Sequence, residues 1–189
     1  MSSLTIASYN CKNFNGIHSA LKKSFVNNLV KECDFTLLQE HWLLESQFHV
    51  FDYLSSGNNV ICIEGCSAMD IDRIGSGRPH GGCAILWKSN IKYKVSNIHT
   101  VSNRLNAILV EMDDVNYFLV FNVYMPCDER TIGINLSVYQ DVLAEISSVC
   151  NRHNAMFVII AGDFNTDIMR MSPVGTELKK FIDDEWFTS

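Results

Sequence analysis

The chain lacks the features that would assign it to a membrane or give it a broad affinity for polyanions. No apolar run approaches the length of a bilayer span, because charged or polar residues interrupt each one. The opening residues, Met1-Ser2-Ser3-Leu4-Thr5, have neither the basic segment nor the apolar core of a signal peptide. Positive charge is scarce: 15 Lys and Arg face 21 Asp and Glu, a formal net charge of −6. A basic nucleic-acid-binding module is therefore excluded, and any polyanionic substrate would need local cations or a bound metal to offset repulsion. Proline occurs only 3 times, and no linker, repeat or low-complexity tract divides the chain. With 189 residues, 47% of them hydrophobic, one domain can bury a sizeable core. Cysteine is present but odd in number, at 7, and without a leader this implies reduced thiols in an intracellular compartment, nuclear or cytoplasmic, with no disulfides. Cys62 and Cys66 are four apart, but no second Cys or His pair completes a zinc spacing.

The periodicity of the apolar residues gives the elements. Leu4 to Tyr9 reads as a strand. Ser19 to Cys33 reads as a helix with Leu21, Phe25, Leu29 and Val30 on one face. Phe35 to Gln39 is a short apolar strand, and His49–Leu54 and Val60–Ile63 are weaker strand candidates. Residues 65–82 are rich in Gly, Ser, Asp and Arg and read as a loop, after which Gly81-Gly82 opens a buried strand from Cys83 to Trp87. Leu105–Met112 and Tyr117–Tyr124 form a hairpin turning at Asp113-Asp114-Val115-Asn116. Leu136 to Cys150 is helical by spacing, and Thr176 caps a last helix running to Asp183. Hairpins mixed with strand–helix units predict an α/β sandwich rather than a purely parallel doubly wound sheet.

The most informative segment is Met156 to Asn165. Its continuous apolar run predicts a strand buried on both faces, leading straight into Gly162-Asp163-Phe164-Asn165. If extended geometry continues, Asp163 and Asn165 point to the same side. A turn or helix cap would use the same two residues. Three other strands also end in polar groups: Tyr9-Asn10, Gln39-Glu40-His41-Trp42, and Asn122-Val123-Tyr124-Met125-Pro126. Four such endings offer a convergent set of hard oxygen ligands, suited to Mg²⁺ or Mn²⁺ rather than zinc. His41 could reach such a site, although a surface or supporting role fits it as well.

Ser8-Tyr9-Asn10, Leu38-Gln39-Glu40, Gly82-Cys83-Ala84-Ile85-Leu86, Asn122-Val123-Tyr124-Met125-Pro126 and Gly162-Asp163-Phe164-Asn165 occur in the order and spacing of the endonuclease/exonuclease/phosphatase superfamily. Across almost the whole chain the sequence resembles this superfamily. Gln39-Glu40-His41-Trp42-Leu43 and Arg78-Pro79-His80-Gly81-Gly82 are particularly like the endonuclease domain of LINE-type (non-LTR) retrotransposons. The resemblance implies a four-layer α/β sandwich, two packed mixed β-sheets flanked by helices, and Mg²⁺-dependent (or Mn²⁺-dependent) phosphodiester hydrolysis with DNA as partner. It implies Glu40 as the metal ligand and Asn10 as its neighbour in the metal site. Tyr124 would contact the scissile phosphate, Asp163 would orient or deprotonate the attacking water, and Asn165 would hold the water or the phosphate. Arg78 and His80 would touch DNA phosphate or shape their loop.

The superfamily pattern also includes a later Asp near a tyrosine- or threonine-rich strand and a terminal Ser-Asp-His, neither of which occurs in this sequence. The expectation is one domain over residues 1–189 that lacks its C-terminal segment and nicks DNA poorly, since general acid–base assistance is worth roughly 10²–10⁴-fold. A phosphatase of the same fold is the alternative. So is a non-catalytic fragment that binds a partner.

Overall fold

Alternating side chains along the strands build the core. The computed structural model describes residues 4–14, 19–55, 60–66, 79–113, 115–127, 134–153, 155–169 and 171–186. Strands β1 (Ile6–Asn10), β2 (Phe35–Gln39), β3 (Val60–Cys66) and β4 (Cys83–Lys88) form one sheet in the order β1-β2-β4-β3. Strands β5 (Lys94–Ile98), β6 (Leu105–Glu111), β7 (Tyr117–Tyr124) and β8 (Phe157–Asp163) form the second in chain order. Both sheets are mixed: β1 runs parallel to β2 and β7 parallel to β8, while the other pairings are antiparallel.

The sheets pack face to face. Phe35 and Leu37 of β2, Ile85 and Trp87 of β4, Ile108 and Val110 of β6, and Phe118 and Val120 of β7 fill the space between them. The intervening residues point outward to helices, as the two-residue period of a strand requires. Leu38, Ala84 and Leu86 meet Val26 and Val30 of α1 (Ser19–Glu32) and Phe51 and Leu54 of α2 (His49–Ser55). Leu119, Phe121 and Val123 meet Tyr139, Leu143 and Ile146 of α3 (Ile134–His153) and Leu178 of α4 (Pro173–Trp186). Each fully buried apolar side chain contributes roughly 1.5–3 kcal/mol on leaving water. The result is the expected helix–sheet–sheet–helix sandwich. Among the described residues no helix is long and apolar enough to cross a membrane.

Several local expectations need correction, and one strand was not expected at all. His49–Leu54 is helical, not a strand: Phe51 and Leu54 are buried while Asp52 and Tyr53 are exposed, a three-residue spacing that a strand cannot produce. Strand β5, Lys-Val-Ser-Asn-Ile, is too polar to show as an apolar run, and it pairs only with β6 at the sheet edge. β8 is not buried on both faces, because it ends its sheet; Met156 and Phe157 are 56% and 58% exposed. The last helix starts at Pro173, and its cap is Ser172, whose Oγ accepts the Gly175 N–H at 3.0 Å. Thr176 sits one turn in, its hydroxyl donating back to the Ser172 carbonyl at 2.9 Å. Of the loop expected over 65–82, Gly65 and Cys66 belong to β3, and residues 67–78, including Arg78, lie outside the described residues.

Candidate functional site

One end of the space between the sheets turns polar. Continuing the inward-facing parity of each strand leads from Ile6 to Asn10, from Phe35 and Leu37 to Gln39, from Phe118 and Val120 to Asn122 and Tyr124, and from Ile159 and Ala161 to Asp163. The strand pairings place these residues at the same level, with Asn10 opposite Gln39 and Tyr124 opposite Asp163. The parallel pairs β1–β2 and β7–β8 thus open their C-terminal ends into one site, built from both sheets.

Below the mouth, Gln39 and Asn122 are buried and hydrogen-bonded to each other. Gln39 Nε2 donates to Asn122 Oδ1 at 2.6 Å across the two sheets. Asn122 Nδ2 donates to the Leu38 carbonyl at 2.9 Å and the Ala84 carbonyl at 3.0 Å. Ser8 Oγ accepts from Gln39 Nε2 at 3.1 Å. Neither Gln39 nor Asn122 carries a role in the sequence reading. The available signal is an amide at an inward parity position of an otherwise apolar strand.

Above this layer, Asn10 joins the two carboxylates. Its Oδ1 accepts the Lys12 N–H at 3.0 Å, which turns its NH₂ toward the site. Asn10 Nδ2 then donates to Glu40 Oε1 at 2.8 Å and to Asp163 Oδ2 at 2.6 Å. Trp42 Nε1 donates to Glu40 Oε2 at 3.3 Å, a contact the sequence reading missed. The loops after β1 and β2 carry a run of left-handed residues, Lys12, Asn13, Glu40 and Trp42. Such conformations cost of order 1–3 kcal/mol each for non-glycine residues and persist only where neighbours hold them. Here the loops lock each other: Asn13 N–H donates to the Glu40 carbonyl at 2.8 Å and Phe14 N–H to the His41 carbonyl at 3.1 Å. Lys22 of α1 donates to the Lys12 carbonyl at 2.5 Å.

Asp163 is placed by Gly162. At φ 142° this glycine lets β8 approach β7 so closely that a Cβ would lie 2.1 Å from the Val123 carbonyl oxygen. Asp163 Oδ1 accepts the Asn165 N–H at 3.1 Å. Asn165 is left-handed (φ 48°), so the extended geometry does not continue past Asp163. Its side chain instead donates from Nδ2 to the Met125 carbonyl at 2.9 Å, tying it to the Tyr124 segment.

Tyr124 completes the group. Burial pushes its phenol up to about 12, with Glu40 and Asp163 adding to the effect and Arg104 opposing it. The phenol is therefore a hydrogen-bond donor at neutral pH, within electrostatic range of both carboxylates. Arg104, also missed, stands with its guanidinium carbon 5.2 Å from the centre of the Tyr124 ring.

His41 does not line the site surface. It is buried against Phe48 and Phe51, and its Nδ1 accepts the Leu43 N–H at 3.0 Å. Gly82 is pressed against its ring, where a Cβ would lie 2.4 Å from Cε1. Cys11 is also buried, and desolvation pushes its thiol well above the usual range, with Lys22 opposing and Glu40 adding to the effect. His80 is exposed at the entry to β4, and its DNA contact rests on the resemblance alone.

Among the described residues no three His, Cys, Asp or Glu side chains gather as a metal cage. The donor chemistry fits a different arrangement. Glu40 and Asp163 offer carboxylate oxygens, while Asn10 turns toward them its NH₂, a donor and not a metal ligand; such a set suits a hard cation that uses one or two protein oxygens and keeps its waters.

A family model described as Endonuclease/Exonuclease/phosphatase family matches residues 7–176. No curated protein matches the sequence. Among solved structures, the chain is similar to the AP endonuclease LMAP from Leishmania major, at 13% identity and TM-score 0.70, over 95% of this chain and 66% of that one. It is similar to the 3′ phosphatase NExo from Neisseria bound to product DNA hairpin, at 16% identity and TM-score 0.61, over 96% and 71% of the two chains. The human Nocturnin catalytic domain with bound sulfate anion matches at 17% identity and TM-score 0.62, over 97% and 69%. These likenesses show the fold, and the chain spans about two thirds of the length of the proteins it resembles.

Proposed function

The chain belongs to the Endonuclease/Exonuclease/phosphatase family, and on that premise we propose that it is a divalent-metal-dependent phosphodiester hydrolase that nicks DNA, in the retrotransposon context its motifs resemble. The observation that carries this reading is the Asn10 amide bridging Glu40 and Asp163, residues 123 apart in sequence, at the polar end of the space between the sheets.

In this reading Glu40 holds Mg²⁺ (or Mn²⁺), with Asn10 beside it in the metal site. When bound, the cation neutralises phosphate charge and lowers the barrier to attack by water. The remaining work falls to the chain's own groups. Asp163, fixed through Oδ2 by Asn10 and through Oδ1 by the Asn165 N–H, orients the attacking water and accepts its proton. Tyr124, protonated across the working range, donates to a phosphate oxygen as negative charge develops there. Asn165, anchored on the Met125 carbonyl, holds the water or the phosphate.

The test is nicking of supercoiled plasmid by the 189-residue chain with Mg²⁺, beside Asp163→Asn. A slow rate abolished by chelator and by Asp163→Asn supports the reading. Nicking at the same rate in the variant overturns it. The similar structures include a 3′ phosphatase, so a 3′-phosphorylated oligonucleotide is the second substrate: phosphate release without nicking would favour the phosphatase reading.

A further inference from the structure

Glu145 lies on α3, outside the group of site residues, yet it reaches the turn that leads into β6. Its Oε1 accepts the Val101 N–H at 2.5 Å and its Oε2 accepts the Ser102 N–H at 3.1 Å. One carboxylate thus holds two consecutive backbone donors, 44 and 43 residues away in sequence. Hydrogen bonds to an ionised acceptor are roughly twice as strong as neutral ones. The carboxylate has a firm base, because Val142, Ile146 and Val149 are buried and fix α3 against the second sheet. The turn has no such base of its own. Val101 is 89% exposed and Asn103 is exposed, so apolar burial does not pin its tip.

The turn passes this hold on to Tyr124. Ser102 Oγ accepts the Arg104 N–H at 3.2 Å, and the Ser102 carbonyl accepts the Leu105 N–H at 3.3 Å. The Arg104 carbonyl then accepts the Tyr124 N–H at 2.9 Å, and Arg104 Nη1 donates to the Tyr124 carbonyl at 3.2 Å. The pairing of β6 with β7 stops at Leu105–Val123. Tyr124 is one residue beyond it, so on that side its backbone is held by the turn and not by the strand. The Tyr124 phenol, in electrostatic range of Glu40 and Asp163, is carried on this backbone.

We propose that Glu145 is a positioning residue: by fixing the 101–104 turn it fixes the Tyr124 backbone, and with it the direction in which the phenol meets a phosphate. This rests on the role given to Tyr124 above. It extends the site to a helix carboxylate that touches neither substrate nor metal.

The experiment combines NMR and plasmid nicking with Mg²⁺ on the folded 189-residue chain. Glu145→Ala removes both acceptors. Glu145→Gln keeps one uncharged acceptor, and it carries the test if the alanine variant does not fold. In wild type the Arg104 side-chain protons should be shifted upfield by the Tyr124 ring, 5.2 Å from the guanidinium carbon. In the variants that shift should shrink and the Tyr124 amide proton should move upfield, while the Phe121 amide in mid-strand stays in place. A loss of stability alone does not move native-state resonances. In nicking, Glu145→Ala should lower kcat roughly 10- to 100-fold with KM little changed, as for a misplaced group acting in the transition state. Glu145→Gln should fall between. In a Tyr124→Phe background, Glu145→Ala should cost no more than about 2-fold, because the group it positions is already gone. Unmoved Arg104 and Tyr124 resonances, or equal losses with and without the Tyr124 hydroxyl, would overturn the role of Glu145 and leave the nuclease reading standing. No nicking by the wild-type chain would overturn the nuclease reading, and the resonances would then decide alone whether Glu145 holds Tyr124.

Discussion

Gln39 Nε2 meets Asn122 Oδ1 at 2.6 Å, joining the two sheets at the level just beneath the site. The bond crosses 83 residues of sequence between two nearly inaccessible side chains, and Asn122 spends its remaining donors on the Leu38 and Ala84 carbonyls. Gln39 precedes Glu40 and Asn122 lies two before Tyr124 on the same face of β7, so this amide pair sets the distance between the two halves of the site. Asn122→Ala removes a partner from three buried groups at once. The expected loss is about 3 kcal/mol, since each stranded buried polar group costs roughly 1–3 kcal/mol and relaxation recovers part of it. Urea denaturation measures it directly, and a change under 1 kcal/mol would mean the pair is incidental.

Gly162→Ala should be comparably damaging for a different reason. Its Cβ would collide with the Val123 backbone, which cannot swing aside as a long side chain could, and φ 142° disfavours any L residue. A loss of at least about 2 kcal/mol is expected. Thermal unfolding compared with a neutral glycine substitution elsewhere would check it. Gly82→Ala should destabilise through the His41 ring instead.

Tyr124 gives a pH signature. Its folded-state value, up to about 12, lies above the ordinary phenol value near 10, so the folded chain retains a proton that the unfolded chain has released. The sign of the linkage follows: the contribution is fully present below pH ~10 and is lost as pH rises through the folded value of about 12. The near-ultraviolet difference between wild type and Tyr124→Phe should titrate near that upper value. Glu40→Gln, which removes the nearest opposing charge, should move the transition down. Titration near 10 in the wild-type protein would show that the phenol is not in the group described.

Much of this was legible in the sequence. Continuous apolar runs such as Cys83–Trp87 and the hairpin strands announced themselves because burial on both sides requires them. The positions of Asn10, Glu40, Tyr124 and Asp163 were legible because each follows such a run, where an α/β fold turns its backbone toward solvent. What escaped depended on partners distant in sequence. Strand β5 is defined by its pairing with β6, not by its own composition. The exposure of β8 depends on its place at the end of its sheet. Gln39, Asn122 and Arg104 acquire meaning only when the second sheet is brought against the first. The left-handed turn at Asn165 likewise comes from its bond to Met125, which no local pattern encodes.

The central claim, that Glu40 is the cation-holding residue of this site, is tested most directly by titrating the chain with Mg²⁺, followed by calorimetry or by NMR shifts of the Asn10 and Trp42 side-chain N–H groups that contact Glu40. Weak binding is expected, since one carboxylate beside an amide leaves most of the coordination to water. Glu40→Gln should abolish it while leaving the thermal unfolding transition in place. Binding that persists unchanged in Glu40→Gln, or no binding by the wild-type chain at millimolar Mg²⁺, would contradict it.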